Sequence, residues 1–206
     1  KDLLSVFIAI QIIRTKTVRE TIGETIEKLY KVLPEKIHKK KKFSTEGITI
    51  EANKDFVKLQ HSSMLLDAET ILDFAESLSQ HIWVMYVNQT DIPFYTSDTP
   101  VQTIPHKFDR YMSYGGFNSQ GVEVVFPLSP KLMIAMYEKS YHKLFSSVER
   151  KFISITDKER IDSYNLIQVA GSYRSIYSNI NHFDMAKKLC VENPRLRETK
   201  NRIIVS

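Results

Sequence analysis

The chain has a single cysteine, Cys190, so it can form no internal disulfide. One thiol excludes a disulfide-stapled fold and a cysteine-rich metal centre, and it fits a reducing compartment. No apolar run approaches the roughly 20 residues needed to span a bilayer. The longest near-apolar stretch, Leu3 to Ile13, is interrupted by Ser5 and Gln11. Arg14, Lys16 and Arg19 follow it, where a signal peptide would carry a small-residue cleavage site. These absences predict a cytoplasmic chain without a membrane segment. The chain opens on Lys1, so a natural N-terminal segment is expected upstream.

Glycine and proline are also sparse, at six and seven, which leaves little material for an interdomain linker. Gly115-Gly116 and Gly121 form no phosphate-cradling loop, because no Gly-Lys-Ser/Thr follows and no G-x-G-x-x-G succeeds a strand. They read as turns. The histidines, His38, His61, His81, His106, His142 and His182, show no H-E-x-x-H spacing, so no metal site is predicted. Each of them reads as a surface or packing residue. No G-x-S-x-G elbow is present, and no cofactor signature is found.

What is present is core material. Hydrophobic residues make up 42% and charged residues 26%, the balance of a globular chain, and eleven Phe and ten Tyr can fill a sizeable interior. At 206 residues a single domain over 1–206 is expected. The net charge of +5 is uneven: Lys36 and Lys39 to Lys42 cluster, as do Arg195, Arg197, Lys200 and Arg202. Without a stacking or base-reading motif, this licenses nonspecific contact with nucleic acid and nothing sharper.

Periodicity predicts a helix over Leu3 to Leu33, with Ile22, Ile26, Leu29 and Leu33 on one face and Pro34 as its stop. Gly23 inside it implies a bend or a close helix contact. A short strand is expected at Ile48 to Ile50 and a second helix from Lys54 to Ser79, whose Asp67, Glu69, Asp73 and Glu76 form a solvated face. Ile82 to Val87 is apolar on both faces, the pattern of a strand covered on both sides. A returning strand is expected at Phe94 to Thr96, and Val122 to Phe126 and Leu132 to Tyr137 read as a hairpin. Thr156 with Glu159 has capping-box spacing, predicting a long helix to about Ser178, then a short one over Phe183 to Val191. Strands bunched between helices predict an α+β fold: a mainly antiparallel sheet of four or five strands flanked by N-terminal and C-terminal helices.

The segment Pro93-Phe94-Tyr95-Thr96-Ser97-Asp98-Thr99-Pro100 stands out. Three small polar side chains follow an aromatic strand, and Pro100 stiffens the backbone before it. A carboxylate beside two hydroxyls at a strand end can hold a hard cation or orient a water, or can simply bond its own backbone in a turn. With Asp98 on one strand and Glu123 on the next, a nuclease metal site would require a lysine two residues after Glu123. Val125 stands there, so that match fails.

The stretch from Ile82-Trp83-Val84 to Pro100-Val101, with Phe94, Thr96-Ser97-Asp98 and Pro100, resembles the signature of an uncharacterised, mostly bacterial family, domain of unknown function four-two-three-eight. Gln11 with Arg14, Phe126-Pro127-Leu128-Ser129-Pro130, and the helix bearing Asn165, Arg174 and Ser178 sit where that pattern would put them. Members also carry a His- and Pro-containing segment upstream of the first helix, which this sequence does not include. The resemblance implies one fold unit over most of the chain and no reaction. With it, Ser97 and Asp98 are expected to meet Arg14, Asn165 and Arg174 in a polar pocket with Thr96, binding a polar or anionic ligand. Two alternatives stand beside this reading. One is a metal-dependent hydrolase, nuclease-like, using Asp98 as metal ligand or base; the other is an interaction protein in which these groups are structural.

Overall fold

In a computed structural model of the chain, residues 1–41, 53–109 and 114–198 are described. Helix α1, Asp2–Ile13, is followed after a two-residue break by α2, Lys16–Lys41. The predicted single helix is therefore two. The cause is Thr15, whose hydroxyl donates to the Ile12 carbonyl at 2.9 Å and accepts from the Val18 amide at 3.3 Å, capping the second helix. Pro34 does not end that helix, which runs on through it to Lys41. Gly23 marks a close approach to another helix, because a Cβ there would lie 3.6 Å from the methyls of Val57.

The Lys54–Ser79 helix is likewise divided, into α3, Lys54–Leu66, and α4, Ala68–Ser79. Asp67 adopts extended backbone between them and accepts from the amides of Glu69 and Thr70, so a residue read as part of an acidic face is a helix cap. The expected strand at Ile48 to Ile50 lies outside the described residues.

Next come β1, Ile82–Asn88; β2, Thr96–Ser97; β3, Gln102–Pro105; β4, Val122–Ser129; β5, Leu132–Tyr137; and β6, Phe152–Ile155. Helix α5, Lys158–Gly171, is followed by β7, Ile176–Tyr177, and α6, Asp184–Glu192. The main sheet has the order β3-β4-β5-β1-β6, antiparallel throughout except for the parallel β1–β6 pair. The α+β expectation holds, with five strands flanked by helices. Three details differ. Phe94 lies outside the strands, and Thr96–Ser97 pairs with Ile176–Tyr177 in a separate two-stranded ribbon. The cap of α5 is Asp157, not Thr156. That helix stops at Gly171, because the chain beyond it turns to pair with β2.

Strand side chains alternate between faces, and the two cores divide accordingly. On one face Trp83, Val122, Val124, Phe126, Ile134 and Met136 pack with Ile8 and Ile12 of α1 and Leu78 of α4. On the other, Ile82, Val84, Tyr86, Val125, Met133, Ala135 and Tyr137 pack with Ile161 and Tyr164 of α5. The sheet is thus a middle layer between α1/α4 and α5. β1 is apolar on both faces because both are covered. Since Val122 and Val124 face α1, the intervening Glu123 must face α5, inside the second core.

Candidate functional site

The anticipated Thr96-Ser97-Asp98 turn is a clasp within the chain. Asn165 of α5 accepts from the Tyr95 amide at 2.7 Å and donates to the Pro93 carbonyl at 2.9 Å. One turn on, Gln168 donates to the Pro100 carbonyl at 2.9 Å, and its amide oxygen lies 2.9 Å from Ser97 Oγ. These buried amides bond a stretch that prolines 93 and 100 keep out of the sheet, satisfying backbone groups that would otherwise be orphaned. Asp98 Oδ1 accepts from the Tyr173 amide at 2.9 Å, and the Asp98 amide donates to the Ser175 carbonyl at 3.1 Å.

The arginines do not complete a pocket there. Among the described residues no ion pair joins Asp98 to Arg14 or Arg174. The exposed Arg14 instead donates from Nε to Gln11 Oε1 at 2.7 Å. Arg174, flanked by the two residues that bond Asp98, is exposed and lines a different cavity. The structure therefore ties Ser97, Asp98 and Asn165 to neighbouring backbone, with Thr96 paired in the ribbon, and among the described residues neither guanidinium pairs with the carboxylate.

A second polar cluster, built around Glu123, lies on the α5 side of the sheet. Glu123 is 4% exposed. Oε1 accepts from Tyr137 and from Tyr164, each at 2.9 Å, and Oε2 meets His106 Nε2 at 2.7 Å. Sheet register supplies much of this: Glu123 stands opposite Tyr137 on β5 and Ile104 on β3, with His106 just beyond β3. Tyr164 comes down from α5. Gly121, at φ 78°, makes the turn into β4, and its carbonyl accepts from the His106 amide at 2.9 Å. A side chain at that glycine would crowd Lys107 and Tyr141.

The cluster continues as a directed chain of hydrogen bonds. Arg160, which can only donate, bonds Tyr86 Oη at 2.7 Å, and its guanidinium also lies over that ring, 4.6 Å from the centroid. Tyr86 and Tyr137 hydroxyls are 2.7 Å apart. Because the Tyr137 proton is committed to Glu123, Tyr86 must donate to Tyr137. Order then runs from Arg160 through two phenols to the buried carboxylate.

Two histidines occupy this region with their ring centroids 5.1 Å apart. The hydrogen bond to Glu123 raises the pKa of His106, against an opposing effect of burial. Burial lowers that of His142, with the positive neighbour His106 adding to the effect and the Gly121 carbonyl opposing it. His142 Nε2 is buried and has no hydrogen-bond partner among the described residues. Burial, then the charge of Glu123, raises the Tyr137 and Tyr164 phenols, which therefore stay protonated as donors. A cavity of about 420 Å³ opens onto His106, Glu123, Tyr137, His142, Arg160 and Tyr164, within the ~300–1,000 Å³ typical of small-molecule sites. Among the described residues no three His, Cys, Asp or Glu side chains are grouped to hold a metal ion.

None of these residues was expected as a site from sequence; Glu123 entered only as the failed nuclease match. The readable signal was a glutamate between valines, Val122-Glu123-Val124, in a stretch otherwise apolar as far as Leu128.

Fold and site together define an α+β domain with a helix-covered five-stranded sheet and a buried carboxylate–histidine–tyrosine cluster beneath one helix. The chain belongs to the family described as Protein of unknown function (DUF4238), whose model matches residues 1–182. No curated protein and no solved structure matches it. No helix among the described residues is long and apolar enough to cross a membrane.

Proposed function

We propose that the Glu123 cavity is an acid–base site for a small polar or anionic substrate, with His106 as the protonated acid and His142 as the neutral base. The observation that carries this reading is a pair of histidine rings 5.1 Å apart on one cavity, one bonded to the buried Glu123 carboxylate and the other not. Paired titratable groups whose surroundings push them apart are how one site supplies an acid and a base at the same pH. Glu123 orients His106 and favours its charged form, while two tyrosines hold the carboxylate in place. Arg160 and charged His106 on the cavity wall favour an anionic group on the substrate.

This reading retains the polar or anionic ligand expected from sequence and moves it away from Asp98. Ser97 Oγ, Asp98 Oδ1 and the Asp98 amide serve the chain's own backbone and α5. A hydrolase using Asp98 has less support, since no second acid, histidine or arginine pairs with that carboxylate among the described residues. The one free thiol fits a reducing compartment, and a cytoplasmic setting is part of the proposal. The nucleic-acid reading still rests on the charge of the sequence alone.

The test is a hydrolysis screen with small esters, phosphomonoesters and the phosphodiester probe bis(p-nitrophenyl) phosphate, combined with thermal shift using the same anions. Turnover should rise with pH through the value of His142, below about 6.5, and fall through that of His106, above it. His106→Asn and His142→Asn should each lower kcat at least about 100-fold. No turnover, together with no anion-dependent stabilisation that Arg160→Gln removes, would overturn the proposal.

A further inference from the structure

A cavity of about 560 Å³ lies between the end of α5, the β7 segment and α6. Its walls combine two kinds of surface. Ile176, Phe183 and Leu196 provide apolar lining, while Arg174 and Arg197, both exposed, line the same opening. Among the described residues neither arginine forms an ion pair and no acidic side chain lines the cavity. The other cation on the wall, Lys187, lies 3.8 Å from Asp184. Two arginines with no carboxylate partner among the described residues, beside an apolar floor, complement a molecule with an anionic head and an apolar body. Arginine grips carboxylate or phosphate oxygens through its planar fork, and the floor removes hydrocarbon from water.

We infer that this cavity binds a small amphipathic anion, an apolar carboxylate or phosphate ester, at a site separate from the Glu123 cavity. Arg174 and Arg197 hold the head group, and Phe183, Ile176 and Leu196 accept the body. The residue Arg174, expected from sequence to grip an anion beside Asp98, thus serves an anion elsewhere.

The chain carries its own reporter. Cys190, its only cysteine and partly exposed, lines the same cavity. The rate of Cys190 alkylation by a maleimide is measured on the full chain with octyl phosphate, octanoate or octanol, each below its micelle-forming concentration. At about ten times its dissociation constant, a ligand occupying the cavity slows labelling about tenfold. Octyl phosphate or octanoate is expected to give saturable protection, and uncharged octanol none. Which of the two anions protects at lower concentration distinguishes phosphate from carboxylate recognition. The double variant Arg174→Gln, Arg197→Gln should label at the wild-type rate without ligand and lose protection. Equal protection by octanol, protection retained in the double variant, or no protection by either anion would each overturn the site. Should the thiol prove unreactive in the free protein, the same comparisons are read as a melting-temperature rise that the double variant abolishes. Histidine variants in the Glu123 cavity leave this protection unchanged, so failure at one site does not decide the other.

Discussion

Replacing Glu123 tests whether the buried cluster is an acceptor for which its neighbours are built. Glu123 is 4% exposed, and its carboxylate bonds two phenolic hydroxyls and one histidine nitrogen. In Glu123→Ala, Tyr137 and Tyr164 lose their acceptor inside the core. A buried polar group left unpaired costs about 1–3 kcal/mol, and removing one partner of a buried charged network typically costs about 3–5 kcal/mol. We therefore expect a loss of about 3–5 kcal/mol at pH 7. In Glu123→Gln the amide oxygen can still accept from both tyrosines and its NH2 donates to His106 as the neutral ring, so each pair persists and the charge assistance goes. Charge-assisted bonds are roughly twice as strong as neutral ones, so the loss should be about 1–2 kcal/mol. The assay is urea denaturation followed by fluorescence of Trp83, the single tryptophan, which is 6% exposed and donates to the Leu78 carbonyl at 2.8 Å. The midpoint should shift without a change in slope. Equal costs for the two variants, or less than about 1 kcal/mol for the alanine, would refute the view that Glu123 is the organising acceptor.

The histidines, the clasp and Arg150 give further expected outcomes. Histidine-ring NMR should find His106 titrating above, and His81 and His142 below, the ordinary value of about 6.5. The signs for stability are opposite: the His106 contribution is complete below about 6.5 and lost as pH rises through its folded value, whereas the depressed pair costs stability as pH falls below about 6.5. Glu123→Gln should bring the His106 titration down and remove its share of this pH dependence. In the clasp, Ser97→Ala should cost roughly 1–2 kcal/mol in urea denaturation, because Gln168 and the Thr99 amide lose a buried partner. Asp98→Asn keeps an oxygen for the Tyr173 amide and should change stability by less than about 1 kcal/mol and leave any turnover intact; a loss of turnover would return Asp98 to the chemistry. Arg150 is the one non-glycine residue described at positive φ, 60°, so Arg150→Gly should be neutral or raise stability by up to about 1 kcal/mol in the same assay.

Local pattern carried the layers of this fold but not the joints between them. β1 was readable because its residues are apolar at every position, and the β4–β5 hairpin because both strands are β-rich and separated by a short Pro-containing turn. The two long helices were misread as continuous, since Thr15 and Asp67 each cap a helix with one side chain and leave the apolar spacing almost undisturbed. The end of α5 was out of reach for a different reason. It is set by Asp98, some 75 positions away, taking the Tyr173 amide, and no window of adjacent residues contains that fact.

The same distinction explains the site. A conspicuous run of small polar residues at 96–98 drew the functional reading, yet side chains that can bond nearby backbone commonly do so, and here they tie an irregular segment to α5. Glu123 was the better clue. In a strand covered on both faces neither side of the ribbon reaches water, so a carboxylate at any position is buried and must find partners. That much follows from Val122-Glu123-Val124-Val125-Phe126 alone. Which partners it finds does not, because Tyr137 arrives by antiparallel register, His106 by the continuation of β3 past Pro105, and Tyr164 by the docking of α5. Burial of a charge is thus a sequence-level inference, while its chemistry is a property of three strands and a helix brought into one register.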